Sequence, residues 1–163
     1  MKRWIEEHRI LATLILVLLV MAMIFGFSAQ TGEASGRLSD RIARFLVQLV
    51  SPDFDTWTAA MQEEICSVVG LVVRKAAHFT EYALLGLCLM LHLDAIGKKI
   101  AIKLPWLISW EIGTLYALTD EWHQGFVGGR HPAILDVTID SCGVAVGVLA
   151  LVLLLRRRNR PLP

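Results

Sequence analysis

The residues able to do chemistry fall in three short segments. His78 and Glu81 stand three apart and share a face if their segment is helical. Asp120, Glu121, His123 and Gln124 form a D-E-x-H-Q cluster, in which Asp120, His123 and Gln124 fall on one helical face and Glu121 about 100° away. Arg130 precedes Asp136 and Asp140, which are four apart and continue into Gly143 and Gly147 on one stripe. If these segments meet, the carboxylates Glu81, Asp120, Glu121, Asp136 and Asp140 face the cations Arg74, Lys75 and Arg130 and the imidazoles of His78 and His123. Ionised and buried together, such a set carries excess negative charge, so either some carboxylates hold protons or a cation binds.

Two chemistries follow. His78, Glu81, Asp120, Glu121 and His123 are candidate catalytic groups, because a carboxylic acid beside an imidazole can serve as general acid and base. A divalent metal is the other candidate: His78, Glu81, Glu121, His123 and Asp136 mix nitrogen and oxygen ligands as zinc or manganese prefer, and an oxygen-only subset suits magnesium or calcium. Arg130, with its planar fork, is the natural group to hold a phosphate or carboxylate of a substrate, with Arg74, Lys75 and Gln124 beside it.

Each residue also has a purely structural explanation. His78 and Glu81 could tie two helices, Arg130 and Asp136 could pair to fix the start of the last helix, and Arg74 and Lys75 could snorkel to a membrane surface. Gly143 and Gly147 suit close packing inside the molecule better than a seam between molecules. His92 and Glu111 stand apart from the cluster; a structural tie between them is the plain expectation, and a proton path from the cluster the sharper one.

The elements that must position these groups are membrane spans. Of the 163 residues 55% are hydrophobic before glycine is counted, against roughly 45–50% with glycine included in a soluble domain. Charged residues are 19%, and they are gathered in blocks between long uncharged runs. That pattern predicts an all-α, polytopic membrane protein with spans at about 10–27, 76–96, 104–124 and 132–155, forming a single domain over 1–163. The first run is longer than the core of a signal sequence, which favours a retained span. A net charge of +1 excludes an electrostatic nucleic-acid binder, and three scattered cysteines, Cys66, Cys88 and Cys142, form neither a disulfide framework nor a CxxC site.

Orientation follows from the cations. Lys2, Arg3, Arg9, Lys98, Lys99, Lys103, Arg156, Arg157, Arg158 and Arg160 gather at one set of ends, which should be cytoplasmic, with both termini inside. The three chemical segments then converge at the outer end of the bundle. In the outer connection, 28–75, residues Ile42, Phe45, Leu46 and Leu49 recur at helical spacing opposite an Asp40–Arg44 pair, predicting an amphipathic helix over 39–50 on the membrane surface, ended by Ser51–Pro52. A second helical pattern, Trp57, Met61, Ile65, Val68 and Val72, leads toward the second span.

The segments Arg74-Lys75-Ala76-Ala77-His78-Phe79-Thr80-Glu81-Tyr82, Asp120-Glu121-Trp122-His123-Gln124 and Gly129-Arg130 with Asp136 and Gly143, together with the turn Phe27-Ser28-Ala29-Gln30-Thr31-Gly32-Glu33-Ala34-Ser35, resemble the VanZ-like family of bacterial membrane proteins. The resemblance spans about residues 27–147. One position departs from the family pattern: Asp140 stands where an asparagine is usual. The resemblance implies a place in the bacterial cytoplasmic membrane and a part in envelope physiology, including resistance to the glycopeptide teicoplanin, but no established reaction. Three functions are therefore expected in turn. The first is an outer-leaflet enzyme acting on a membrane lipid or lipid-linked envelope precursor. The second is a non-catalytic lipid-binding, drug-binding or assembly protein whose polar cluster ties the helices. The third is a small proton-coupled transporter using Glu111 and His92, which would need a homo-oligomer to enclose a path.

Overall fold

The computed structural model describes residues 2–130 and 132–158. Among them the chain forms five α-helices and one short 3-10 turn: α1 Lys2–Ser28, α2 Gly32–Val50, the turn Phe54–Thr56, α3 Ala59–Ile100, α4 Pro105–Gln124 and α5 Ile134–Arg158. No strand occurs among the described residues. Three helices are long and apolar enough to cross a membrane, over Trp4–Ser28, Ala59–Gly97 and Ile134–Arg157. The helix α4 is not among them: its 20 residues include Glu111, Asp120 and Glu121 and end in a polar turn. Arg160 lies outside the described residues, as do the side chains of Lys2, Arg3, Lys98 and Arg158.

Local chemistry explains the boundaries. The Thr31 side chain accepts the Ala34 amide at 3.2 Å, and Glu33 lies in the positive first turn of α2. Thr58 caps α3 in the same way, accepting from the Met61 amide at 3.3 Å. At the other end of α3 the chain reverses through Ala101 and Leu104, both in the left-handed region (φ 50° and 57°), before Pro105 starts α4.

The connection over residues 28–75 corrects the sequence reading in three ways. The amphipathic helix begins at Gly32 rather than residue 39, because Thr31 supplies a cap that the hydrophobic pattern does not reveal. The second helical pattern and the second span are one uninterrupted helix of 42 residues, about 63 Å long at 1.5 Å per residue. Arg74 and Lys75 mark a change in polarity, and the helix runs through it. Asp40 and Arg44 form no ion pair: the Arg44 guanidinium donates to Gln62 Oε1 at 3.2 Å and lies over the Phe54 ring, while Asp40 packs on Gly70. The face that α2 turns toward α3 is made of Ser39, Ala43 and Val47, leaving Ile42, Phe45, Leu46 and Leu49 exposed.

The bundle core joins Val17, Val20 and Ile24 of α1, Tyr82, Leu85 and Leu89 of α3, Ala117 of α4, and Val144 and Val148 of α5. The tightest seam runs between α3 and α5. A β-carbon on Gly143 would sit 2.4 Å from the Phe79 carbonyl oxygen, one on Gly147 1.8 Å from that of Ala83, and one on Gly86 2.2 Å from that of Val144. The two backbones touch there as glycine alone allows, which bears out internal packing as the role of Gly143 and Gly147. Residue pairs at the far end join α1 to α3: Arg9 Nη2 to Asp94 Oδ2 at 2.8 Å, and Thr13 Oγ1 to His92 Nδ1 at 2.9 Å.

Candidate functional site

Beyond Gly143 the seam opens. Between α3 and α5, toward the end where α4 terminates, lies a cleft of about 240 Å³. It is walled by Arg74, Lys75 and His78 of α3, Glu121 and Gln124 of α4, Gly129 and Arg130 of the following loop, and Asp136 and Asp140 of α5, with Leu71 and Ile139 as its apolar members. The sequence segments thus supply most of its lining.

Loop geometry brings Arg130 in. Gly129 adopts φ +75°, open to glycine at little cost, and Gly32 donates its amide to the Gly128 carbonyl at 3.1 Å. A β-carbon on Gly32 would come within 2.1 Å of the Gly129 carbonyl oxygen, so both glycines are needed where the start of α2 meets this loop. Arg130 then spends its fork on the protein. Nε donates to the Gln30 carbonyl at 3.1 Å, Nη2 to the Phe27 carbonyl at 3.3 Å and Nη1 to Gln124 Oε1 at 3.0 Å. Burial lowers its pKa from the usual guanidinium value, and Arg74 nearby acts in the same direction against Asp120 and Glu121.

The network continues inward. Gln124 Nε2 donates to Asp120 Oδ2 and to Ser28 Oγ, both at 3.0 Å, and Ser28 Oγ donates to Asp120 Oδ2 at 2.7 Å. Ser28, Asp120 and Gln124 are buried, and through them α1, α4 and the Arg130 loop are tied together. Glu121 Oε1 accepts the Ala133 amide at 2.7 Å, fixing the chain just before α5. Lys75 pairs with Asp136 across the cleft mouth.

Several polar atoms remain unspent. Among the described residues, buried without a hydrogen-bond partner are Arg74 Nε, His78 Nδ1 and Asp140 Oδ1 of residues on the cleft wall, and Glu81 Oε2, the Tyr82 hydroxyl, Asp120 Oδ1 and His123 Nδ1 away from it. Native interiors leave few such atoms, and each calls for an explanation. His78 lies within electrostatic reach of Asp120, Arg130, Asp136 and Arg74.

Four sequence expectations are corrected. Asp136 pairs with Lys75 and not with Arg130, because the loop turns the guanidinium toward the end of α1. His78 and Glu81 form no tie; Glu81 lines a separate shallow groove with Met23, Ala77 and Leu84. His123 stacks on Phe25 of α1, ring centroids 4.6 Å apart, because it sits 100° around α4 from Gln124. His92 and Glu111 do not meet: His92 bonds Thr13, and Glu111 is exposed. Ser28 is the functional-looking residue that residue types did not reveal. A neutral hydroxyl gives no signal of charge, and its place in the Phe27–Ser35 turn was the one clue.

The proposed metal ligands do not assemble. Among the described residues no group of three or more His, Cys, Asp or Glu side chains is arranged to hold an ion, with Glu81 and His123 directed away from the cleft that Glu121 and Asp136 line.

An all-helical fold with three helices apolar enough to span a bilayer, and a charged cleft beyond their packed seam, defines a helical membrane protein. The chain belongs to the VanZ/LLP1 family, whose model matches residues 13–155. No curated protein and no solved structure matches it.

Proposed function

We propose that this VanZ-family protein lies in the bacterial cytoplasmic membrane as a single domain of four spans, with α4 as the fourth and both termini cytoplasmic, and takes the headgroup of an outer-leaflet lipid or lipid-linked envelope precursor into the cleft. The observation that carries the reading is the set of buried, unpartnered atoms of Arg74, His78 and Asp140 on the wall of a 240 Å³ cleft. The unpartnered Arg74 guanidinium suits an anionic group, with Lys75 and Arg130, already bonded within the chain, adding positive charge beside it, and His78 with Asp140 suits proton transfer to and from that group. Glu121 and Gln124 position the cleft floor, and Asp120 supports them from behind. The excess of Lys and Arg at the far ends favours the cytoplasmic placement of the termini. Family membership supports a link to glycopeptide resistance.

One observation favours a second reading, a non-catalytic binding or assembly protein: the Ser28–Asp120–Gln124–Arg130 network is the kind of polar tie that joins helices. The experiment that separates the two replaces His78 by Gln and follows both the amount of folded protein in the membrane and teicoplanin susceptibility of the cells. Under the proposed reading the phenotype disappears at unchanged abundance. If an effect on susceptibility appears only in step with lost protein, or the variant behaves as wild type, the proton-transfer role of His78 is wrong.

A further inference from the structure

The seam between α4 and α5 is closed along one part and open along another. Near the middle of α4 a β-carbon on Gly113 would sit 2.6 Å from the Val144 side chain, and Thr114 bonds Ser141 at 2.8 Å. Toward the start of α4 and the end of α5 the two helices instead leave a groove of about 350 Å³. Trp106 and Trp110, one turn apart, form its α4 wall, and α5 lines it from Ala145 through Val148, Leu149 and Val152 to Arg156. That stretch of α5 is about 16 Å long at 1.5 Å per residue, so the groove is long, apolar and charged at one end. It lies toward the opposite end of α5 from Asp136 and Asp140 and shares no residue with the cleft. Among the described residues Arg156 makes no ion pair or hydrogen bond, no acid lines the groove, and neither the Trp106 nor the Trp110 indole N–H donates to the chain. The Trp57 indole, by contrast, bonds Asp53 at 3.1 Å.

We propose that this groove holds one anionic phospholipid, with an acyl chain against Val148, Leu149 and Val152 between the tryptophans and its phosphate at Arg156. The inference goes beyond the proposed function: it requires α5 to lie in the bilayer, for which it is long and apolar enough, and takes nothing from the cleft or from the side the termini face. Arginine meets a phosphate through paired N–H donors, and tryptophan at a span end offers an apolar ring with one donor. A tryptophan belt alone does not choose among headgroups; an unpaired guanidinium at the mouth of an apolar groove selects a negative one. Seven lining residues are far fewer than the roughly 20–30 that a stable protein interface uses on each side, which favours a single lipid over a second copy of the chain.

The test uses the full chain with Trp4, Trp57 and Trp122 changed to Phe, leaving Trp106 and Trp110 as reporters, purified and reconstituted in phosphatidylcholine vesicles. An increasing fraction of the lipid is replaced by phosphatidylglycerol or phosphatidylcholine brominated on the acyl chains, which quenches tryptophan on contact. Phosphatidylglycerol should reach half-maximal quenching at an about fivefold lower fraction than phosphatidylcholine. Arg156→Gln should remove that preference, and Arg157→Gln, exposed one residue further round the helix, should leave it unchanged. Val152→Phe and Ala145→Leu, which fill the groove and keep the charge, should each remove it as well. Equal quenching of the reporter protein by the two lipids overturns the proposal. So does an equal loss with Arg157→Gln, which makes the attraction a property of the whole basic end. A preference that survives both groove-filling variants leaves the headgroup on the surface and refutes the groove. Absence of quenching by either lipid takes lipid out of the groove altogether, and subunit counting that then gives two copies assigns it to a second chain. None of these arms touches His78 or the susceptibility readout, so failure here leaves the cleft reading standing.

Discussion

Two polar regions share the end of the bundle where α1 and α4 terminate and differ in how they are satisfied. On the α1–α4 side, Ser28, Asp120, Gln124 and Arg130 form a connected network in which six hydrogen bonds hold a span end, a helix and a loop together, with Asp120 Oδ1 its one buried atom left unpartnered. On the α3–α5 side, Arg74, His78 and Asp140 present buried atoms that bond to nothing in the chain. A network of the first kind holds its own structure together. A wall of the second kind is destabilising until something else supplies its partners. The difference separates residues that build the site from residues that would use it, although the two sets are interleaved in sequence and similar in type.

The largest expected effect removes the ground on which both regions stand. Gly147→Ala places a β-carbon into the Ala83 carbonyl, forces α3 and α5 apart, and should destabilise the fold on the order of 4 kcal/mol or more; loss of the monodisperse peak on size exclusion in detergent is the readout. Next, Asp120→Ala takes the shared acceptor from Ser28 and Gln124 and should cost about 3 kcal/mol, seen as a lower melting midpoint and reduced folded abundance. A variant as stable as wild type would erase the distinction between the two regions. His78→Gln sharpens the distinction from the other side. With no hydrogen bond to lose, it should shift stability by less than about 1 kcal/mol while removing the function assigned to the cleft. The smallest effect lies outside both: Glu33→Gln breaks the exposed pair with Arg37 and should change stability by about 0.5 kcal/mol or less, setting the baseline for the same melting assay.

How much of this was legible in the sequence depends on which signal each part leaves. The long apolar runs of α1 and α5 announce themselves, and the close seam of Gly143 and Gly147 follows from their spacing. The continuity of α3 does not, because Arg74 and Lys75 signal a membrane edge and a helix can cross one without ending. For the site, residue types found Arg74, Lys75, His78, Glu121, Gln124, Arg130 and Asp136, all of which line the cleft. They could not tell Glu81 and His123 from these, since which side of a helix a polar group faces depends on the neighbours it packs against. Asp140, doubtful as a departure from the family pattern, proves to line the cleft with an unpartnered oxygen. Ser28 was invisible as chemistry because its importance arises only once Asp120 is folded against it.

The glycine seam between α3 and α5 also governs how the cleft can respond to what enters it. Where backbones touch at Gly86, Gly143 and Gly147 the two helices have no slack to rock, so the gap beyond them keeps a set width. A headgroup arriving there would find its space ready-made and would pay little reorganisation to occupy it. Selection would then fall to size: a rigid aperture favours the ligand that fills it and turns away one that needs the walls to move.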